Sequence, residues 1–463
     1  MTDAGGRWTD HLPTGHLRCG GINKRTHHNK TRHTITDQNT LAETIESKES
    51  ELVDLLGDLV AAKTVTGSEA PGQEVIIDRL ETMGLEPDVW EPSADELADH
   101  EGFFETSSYE EHGYEGRPNV TARVEGGNGP TLAIGGHIDV VDVTEDEWTR
   151  DPWSLTREGD TLYGRGSADM KGGLAATLIA IEALDSLGIE LGGDLLFQST
   201  IEEEDGGVGG ALSVLQRGYV PDATVIAEPF DLPNVGIASA GVMYFEVEVP
   251  GKSVHAAWGH EGVNAIGNAA TIYRALEELD TERKARIDYE PAYQSNPSLK
   301  GNVTNLNVGT IEAGDWPSTL PSRAILKGRI GWPPGESRAE VRSQIEEKIA
   351  EAAANDEWLA DHPPTIEWFG WQAEPHEVDS GGELATLAKR VGEDITGRSG
   401  SFVGGNAGLD ERFYDLYYDV DAVSVGPTGA NLHGADEHTT VPSLLETATT
   451  IASIAVEYCG RKE

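Results

Sequence analysis

Residues 194–210 read DLLFQSTIEEEDGGVGG, in which an apolar run is followed by three successive glutamates and a glycine-rich turn. The apolar run predicts a buried strand over residues 194–198, and the segment after the turn predicts a helix over residues 209–217. Three carboxylates at the end of a buried strand repel one another unless cations neutralise them. The stretch therefore indicates an α/β fold with carboxylates gathered at a strand end, although a solvated run of charge is the simpler alternative.

The same alternation of strands and helices continues on both sides of this stretch. Strands interleaved with helices are typical of a mixed, largely parallel sheet with helices on both faces. Between two early helices and the first of these strands, residues 95–117 read as a long acidic surface insertion. The other predicted elements are helices at about 52–60, 71–83, 172–187 and 444–458 and strands at 131–134, 223–226 and 422–425.

A different pattern occupies residues 241–370. Its elements follow one another in the order β-α-β-β-α-β, which is typical of a ferredoxin-like α+β unit. The sequence therefore predicts a catalytic α/β domain over residues 37–240 and 371–463, interrupted by an inserted domain over residues 241–370. The predicted strands of the insert are 242–249, 305–311, 324–330 and 365–369, and its helices are 265–279 and 338–353.

The composition narrows the class of protein. The 463 residues carry 81 Asp and Glu against 34 Lys and Arg, which gives a net charge of −47. Such a charge repels phosphate backbones and anionic membrane surfaces, so neither nucleic acid nor a membrane is an expected partner. A surface rich in carboxylates suits concentrated salt, where self-repulsion is screened, and we expect a halophilic protein. An acidic surface that binds a partner is the alternative.

The start of the chain and the cysteines favour a cytoplasmic protein. Residues 1–36 carry six basic and two acidic residues without apolar periodicity, so we predict a disordered basic tail there. This segment lacks the apolar core of a secretory signal, and the chain has no run of 18 apolar residues that could span a membrane. Cys19 and Cys459 are the two cysteines of the sequence, which excludes a disulfide framework.

Further candidate ligands follow predicted strands or precede a predicted helix. Each of them alone has an ordinary structural interpretation, such as a turn, a helix cap or a strand-end carboxylate in water. Because ligands bind at the carboxyl ends of strands in α/β sheets, together they predict one crevice, and their donor types suit a two-metal hydrolytic site. They are His137 and Asp139 in GGHIDVV (135–141), Asp169 in LYGRGSADMKGG (162–173), Glu228 in DATVIAEPF (222–230) and His433 in GPTGANLHGADEHTT (426–440).

This constellation resembles the M20 family of metallo-aminoacylases and peptidases in the order and spacing of its motifs, from about Leu52 to Tyr458. The resemblance implies two divalent metal ions per subunit, with Zn²⁺ as the first expectation and Co²⁺ as the alternative. It also implies that Asp169 bridges the two ions and that the Asp169–Met170 peptide bond is cis. The other implied metal ligands are His137, Glu204, Glu228 and His433.

Two further residues have catalytic roles implied by the resemblance. Asp139 would orient His137, and Glu203 would be the general base that activates a water bridging the metals. The expected reaction removes an N-acyl group from an amino acid, as in acetylornithine deacetylase or succinyl-diaminopimelate desuccinylase. A dipeptidase or carboxypeptidase with the same site is the nearer alternative. A catalytically silent protein that binds metal or a partner is the remote one.

The resemblance implies that the inserted domain is a lid and the interface of a homodimer. His255, in GKSVHAAWGHEGVNAI (251–266), matches the histidine that the family uses across this interface to polarise the scissile carbonyl. Three positions depart from the family's pattern, and at one of them Trp258 replaces the small residue often found after the HA pair. Ser318 stands where many members have Asn, and Gly331 stands where many have a substrate-binding Arg. Arg329 lies two positions earlier on the same strand face. Ser318 and Arg329 are therefore the candidate substrate contacts.

Overall fold

Strand Leu195–Thr200 contains the apolar run of the opening stretch and is buried at every position in the computed structural model. The structure describes residues 38–294 and 296–462. The predicted tail over residues 1–36 lies outside these described residues. Strand Leu195–Thr200 pairs in parallel with Leu132–His137 on one side and antiparallel with Asn119–Val124 on the other. It therefore lies inside a mixed sheet.

Within the described residues this sheet has nine strands, and we call it the central sheet. Four neighbouring strands at its centre run parallel, so their carboxyl ends meet at one edge. The predicted mixed, largely parallel sheet is confirmed in this centre. The strand order is Asp88–Trp90, Asn119–Val124, Leu195–Thr200, Leu132–His137, Ala223–Ile226, Asp421–Ser424, Val235–Ser239 and His376–Glu377, with Phe402–Gly404 also beside Val235–Ser239.

Helices cover both faces of the central sheet. Because side chains alternate along a strand, Ser199 and Gln198 point to opposite faces. The Ser199 hydroxyl donates to Gln73 of one helix over 2.7 Å, whereas the Tyr414 hydroxyl of another helix donates to Gln198 over 2.6 Å. Among residues 38–294 and 296–462, no helix is long and apolar enough to cross a membrane. Outside residues 241–370, the described α-helices are 38–46, Glu49–Ala61, Ala70–Thr82, Ala94–Leu97, Ser107–His112, Lys171–Ser186, Ser213–Gln216, Glu383–Thr396, Glu411–Tyr418 and Val441–Cys459, with a π-helical turn at Val208–Leu212.

A second, antiparallel sheet is formed by the segment predicted to be ferredoxin-like. Phe245, Leu326 and Ile345 belong to its hydrophobic core, which is separate from the core of the central sheet. The prediction of an α+β unit beside the central sheet is confirmed by this arrangement. Its strand order is Asn305–Ala313, Arg323–Trp332, Gly241–Pro250 and Thr365–Ala373, and its main helices are Ala265–Arg286 and Arg338–Ala354.

Residues 95–117 do not form the surface insertion that the sequence predicts. Every acidic residue of this segment is exposed, but Phe104, Thr106, Tyr114 and Arg117 between them are buried. The prediction was wrong because it was based on the acidic residues, and these lie only on the exposed face of the segment. Its apolar and hydroxyl side chains pack inward against the central sheet's carboxyl-end loops.

A small antiparallel sheet connects the loop that contains Asp169 to the loop that contains His433. Strand Thr161–Tyr163, just before the Asp169 loop, pairs with His438–Thr440, just after His433. The outer strands of this small sheet are Thr156–Glu158 and Gly429–Ala430. The pairing brings together two motifs that are far apart in the sequence.

The charge of the chain leads to a prediction for its stability. Between about 0.05 M and about 3 M KCl we expect the melting temperature to rise by more than about 4 °C, because salt screens repulsion among the excess carboxylates. Thermal unfolding followed by circular dichroism measures this shift. Sucrose of equal osmolality is the control, since it adds no ions. An unchanged melting temperature in KCl would contradict the expected salt adaptation.

Candidate active site

His137 is the last residue of its strand, at the carboxyl edge of the central sheet, and is 1% exposed. Its Nδ1 atom lies 2.9 Å from the main-chain oxygen of Asp139 and 3.5 Å from the Asp139 carboxylate. Its Nε2 atom faces carboxylate oxygens of Asp169 at 3.4 Å, Glu228 at 3.4 Å and Glu203 at 3.9 Å. The contact at Nδ1 therefore turns Nε2 towards a cluster of carboxylates.

Asp169 lies between the two predicted histidine ligands. One carboxylate oxygen is 3.4 Å from Nε2 of His137, and the other is 3.3 Å from Nε2 of His433. The Asp169–Met170 peptide bond is cis, as the resemblance implies. The side chain thus presents one oxygen to each histidine.

Glu204 and Glu228 complete two groups of donor atoms around Asp169. Glu204 lies 3.0 Å from Nε2 of His433, and Glu228 lies 3.4 Å from Nε2 of His137. The donor atoms within each group all lie within 4.8 Å of one another. The five predicted ligands therefore form two donor groups that share Asp169, namely His137, Asp169 and Glu228 in one and Asp169, Glu204 and His433 in the other.

The two donor groups fit a pair of divalent cations. Each group offers one imidazole nitrogen and two carboxylates, which are donors that Zn²⁺ and similar ions accept. The Nε2 atom of His137 is buried and has no hydrogen-bond partner among the described residues. A buried polar atom of this kind normally has a partner, so its orientation towards the carboxylates suits a metal ligand.

The electrostatics of the cluster agree with this fit. Burial raises the pKa of Glu204 to about 7 and also raises the pKa of Glu228. Burial acts in the same direction on Asp169, but the neighbouring imidazoles of His137 and His433 outweigh it and lower the Asp169 pKa. Carboxylates whose ionisation is opposed by burial and by one another become ionised beside a cation.

Glu203 lies within the cluster but belongs to neither donor group. Its side chain is buried, and one of its oxygens has no hydrogen-bond partner in the described part of the chain. Burial, together with the charges of Glu228, Asp410 and Glu204, raises the Glu203 pKa well above its usual range. A carboxylate with a raised pKa suits proton transfer near neutral pH.

Asp139 holds the turn that carries the two glutamates. Its carboxylate accepts the main-chain N–H groups of Glu203 at 3.1 Å and Glu204 at 3.2 Å, and the hydroxyl of Thr66 at 2.9 Å. Its main-chain oxygen contacts His137. Asp139 therefore connects the histidine ring to the turn. The sequence predicted only that Asp139 orients His137, so its role in the structure is broader.

Glu437 connects the loop that contains Asp169 to the loop that contains His433. The sequence did not predict this role. Glu437 is fully buried, and its carboxylate accepts the main-chain N–H groups of Gly166 and Asp169 at 3.0 Å each. The Arg165 guanidinium donates to this carboxylate over 2.7 Å and to the main-chain oxygen of His433 over 3.2 Å. The one available signal was the occurrence of His433 and Glu437 in the same polar loop.

Removal of the Glu437 carboxylate should destabilise the fold. Glu437→Ala leaves the buried Arg165 guanidinium without its carboxylate partner, a loss that typically costs about 3–5 kcal/mol. Urea unfolding monitored by fluorescence measures the free energy of unfolding. Glu158→Ala is the matched control, because Glu158 pairs with Arg150 at the surface over 2.8 Å, and it should destabilise the fold far less than Glu437→Ala. Equal costs for the two variants would contradict this assignment.

Glu202, the first of the three glutamates, points away from the donor groups. Its backbone is left-handed, with φ of 68°. Its buried carboxylate accepts the hydroxyl groups of Thr106 at 2.6 Å, Ser108 at 2.8 Å and Tyr114 at 3.0 Å. The segment expected on the surface therefore holds the start of the turn that carries Glu203.

Three predicted residues belong to the segment 241–370, which contains the second sheet. His255 is exposed, and the main-chain N–H of the next residue, Ala256, donates to the main-chain oxygen of Ser318 over 2.8 Å. Arg329 is exposed on its strand. Within the described residues, no hydrogen bond or ion pair joins His255, Ser318 or Arg329 to the two donor groups.

The sequence signature of peptidase family M20/M25/M40 matches residues 133–457, which include both donor groups. This chain belongs to that family. It is therefore an M20 hydrolase of amide bonds that uses divalent metal ions. The predicted family resemblance is confirmed.

Two relatives and one solved structure are similar to this M20 hydrolase. An N-formyl-4-amino-5-aminomethyl-2-methylpyrimidine deformylase of Bacillus subtilis is 28% identical over 373 residues, which cover 76% of this chain and 85% of the relative. A succinyl-diaminopimelate desuccinylase of Rhodopseudomonas palustris is 30% identical over 344 residues, which cover 70% and 82%. A dinuclear metal-binding M20 peptidase of Bacillus subtilis has a similar fold, with a TM-score of 0.61 at 17% identity over 89% of this chain and 99% of that one.

Proposed function

We propose that this M20 hydrolase removes an N-acyl group from an amino acid or a related small amine. The observation that carries the proposal is the pair of donor groups that share Asp169. The carboxylate of Glu203 lies beside them, and one of its oxygens has no hydrogen-bond partner among the described residues. Two cations bound by a shared carboxylate, next to a carboxylate that is free to move a proton, are the requirements of two-metal hydrolysis.

Zn²⁺ is the proposed resident ion, and Co²⁺ is the alternative because it accepts the same donors. His137 and Glu228 would hold one ion, Glu204 and His433 would hold the other, and Asp169 would contact both. When bound, divalent cations act as Lewis acids that polarise the substrate carbonyl and lower the pKa of water.

Glu203 performs the proton transfers in this proposal. Its carboxylate takes a proton from the attacking water and then delivers that proton to the amide nitrogen as the acyl C–N bond breaks. Burial raises the pKa of Glu203, and a carboxyl group with a raised pKa can both accept and return a proton near neutral pH. Asp139 keeps Glu203 in place through its main-chain N–H. The products are a carboxylate and an amine.

The relatives support an N-acyl substrate over a peptide. Their names describe the removal of a formyl group in one case and of a succinyl group in the other. Both are small acyl groups on small nitrogen compounds. A dipeptidase or carboxypeptidase reaction at the same site is the second candidate, since the similar solved structure is a peptidase.

Parallel assays test the two candidates. The full chain is loaded with Zn²⁺ or Co²⁺ and offered N-acetyl-ornithine, N-succinyl-diaminopimelate, the N-formyl aminopyrimidine and a set of dipeptides, and the release of free amine is measured. We expect at least one N-acyl amine to have a kcat/KM at least about tenfold above that of the best dipeptide. A preference for dipeptides would favour the peptidase, and no hydrolysis by the metal-loaded chain would favour a silent protein.

In the same proposal, residues 241–370 form an inserted lid and dimerisation domain, and residues 37–240 with 371–463 form the catalytic domain of a cytoplasmic homodimer. The separate core of the second sheet supports this division. His255 would act on the active site of a second copy, with Ser318 and Arg329 as substrate contacts. Mixing inactive Glu203→Gln and His255→Ala chains tests this, because a mixed dimer has one intact site if His255 acts across the interface.

A further inference from the structure

A buried arginine lies directly behind the turn formed by residues 202–207. Arg412 is 2% exposed, and its guanidinium donates to the main-chain oxygens of Gly206 and Leu409. The N–H of Gly206 donates in turn to the main-chain oxygen of Glu203 over 2.8 Å. The guanidinium is therefore two hydrogen bonds away from the main chain of the proposed base.

Asp410 fills the space on the inner side of the same turn. A Cβ atom added at Gly207 would lie 1.9 Å from an oxygen of Asp410, and Gly207 has φ of 61°. The Asp410 side chain is buried, and its charge acts on both Arg412 and Glu203. Asp410 thus limits how far the turn can move inward.

Hydrogen bonds within the turn, such as the Gly207 N–H to the main-chain oxygen of Glu202 at 2.7 Å, act together with contacts from other elements. Glu202, Gly206 and Gly207 are all in the left-handed region, with φ of 68°, 109° and 61°. For a residue with a side chain this conformation is uncommon, and it persists where surrounding contacts impose it. The left-handed backbone of Glu202 is therefore the part of the turn for which contacts from other elements are most needed.

The supporting groups act on opposite sides of the main chain. On one side the Asp139 carboxylate accepts the N–H groups of Glu203 and Glu204. On the other side the Arg412 guanidinium donates to the carbonyl of Gly206. An acceptor and a donor together restrict both the position and the rotation of the segment between them.

We propose that Arg412 and Asp410 are positioning residues that hold the 202–207 turn, so that Glu203 faces the substrate and Glu204 faces its metal ion. Neither residue touches the reacting atoms in this assignment. It rests on the proposed function, because the turn carries the base and one ligand of that reaction.

The test compares Arg412→Met and Arg412→Lys in the full chain. Loss of contacts that support ligands typically costs about 10- to 100-fold in metal affinity or activity, so we expect kcat of Arg412→Met to fall by that factor while KM changes by less than about twofold. Calorimetric titration of the apo-protein with Zn²⁺ should show one of two sites weakened by a similar factor. Arg412→Lys, which keeps the charge and one donor, should recover part of both losses.

Arg283→Met is the matched control for the loss of a buried arginine. Arg283 is 1% exposed in the second sheet's domain and pairs with Glu336 over 2.9 Å. This variant should lose stability, as Arg412→Met does, but keep its kcat and both metal affinities. A purely structural role for Arg412 would give the same pattern as this control.

The outcomes separate this proposal from the proposed function. Unchanged kcat and metal affinity in folded Arg412→Met would overturn the positioning role. If that variant does not fold, unchanged values in both Arg412→Lys and Asp410→Asn would overturn it. If the unaltered chain hydrolyses none of the offered substrates, the proposed function fails, whereas the Zn²⁺ titration still decides whether Arg412 positions Glu204.

Discussion

Glu203→Gln should remove most of the activity and leave the metal content unchanged. The substitution keeps the volume of the side chain but removes the carboxylate that takes up and returns the proton, a function typically worth about 100- to 10,000-fold in kcat. The metal content should stay near that of the unaltered chain, because Glu203 belongs to neither donor group. Steady-state kinetics with the best substrate and metal analysis of the same preparation measure the two effects.

The adjacent residue is the comparison for this prediction. Glu204→Gln makes the same chemical change one position later, in a residue of the second donor group. It should lower the metal content together with kcat. If Glu203→Gln also loses metal, Glu203 is a ligand and the assignment of the base is wrong.

Asp169→Ala should lose both metal ions and all measurable activity. Its two oxygens face different histidines at 3.4 Å and 3.3 Å, so one substitution removes a ligand from both donor groups. Groups that merely support ligands are worth about 10- to 100-fold, and a shared ligand should exceed this, with affinity at each site falling by more than about 100-fold. Titration of the apo-protein with Zn²⁺ or Co²⁺ measures both affinities.

A variant confined to one donor group is the control for Asp169→Ala. Glu228→Ala removes a ligand of the group that contains His137 and leaves the group that contains His433 complete. One ion should then bind weakly and the other nearly as before. Two ions bound at full affinity by Asp169→Ala would show that the carboxylate does not bridge them.

Much of the fold could be predicted because its signals are local. The apolar run in 194–198 and the period-2 alternation in 242–249 both became strands, and the ferredoxin-like element order also held. Burial pattern along a strand follows from side-chain alternation, which a sequence displays directly. The prediction for residues 95–117 was wrong because the acidic residues dominate the sequence pattern of this segment, whereas the residues between them are buried.

The site was less predictable because its contacts join distant segments. Glu437 receives main-chain N–H groups from the Asp169 loop, some 270 positions earlier in the chain. Arg412, in helix Glu411–Tyr418, donates to the carbonyl of Gly206, which is also far away in the sequence. Such partners depend on strand order and loop path, which no local pattern encodes.

The three successive glutamates show which features follow from the sequence and which follow only from the tertiary structure. By itself the sequence determined that carboxylates follow a buried strand of an α/β sheet, because strand, turn and charge are properties of adjacent residues. Only the tertiary structure decided what each carboxylate meets: Glu202 meets hydroxyl groups of the 95–117 segment, Glu203 has an oxygen with no partner among the described residues, and Glu204 meets His433. The physical reason is that left-handed backbone at Glu202 turns neighbouring side chains in different directions, and contacts with distant segments impose that backbone.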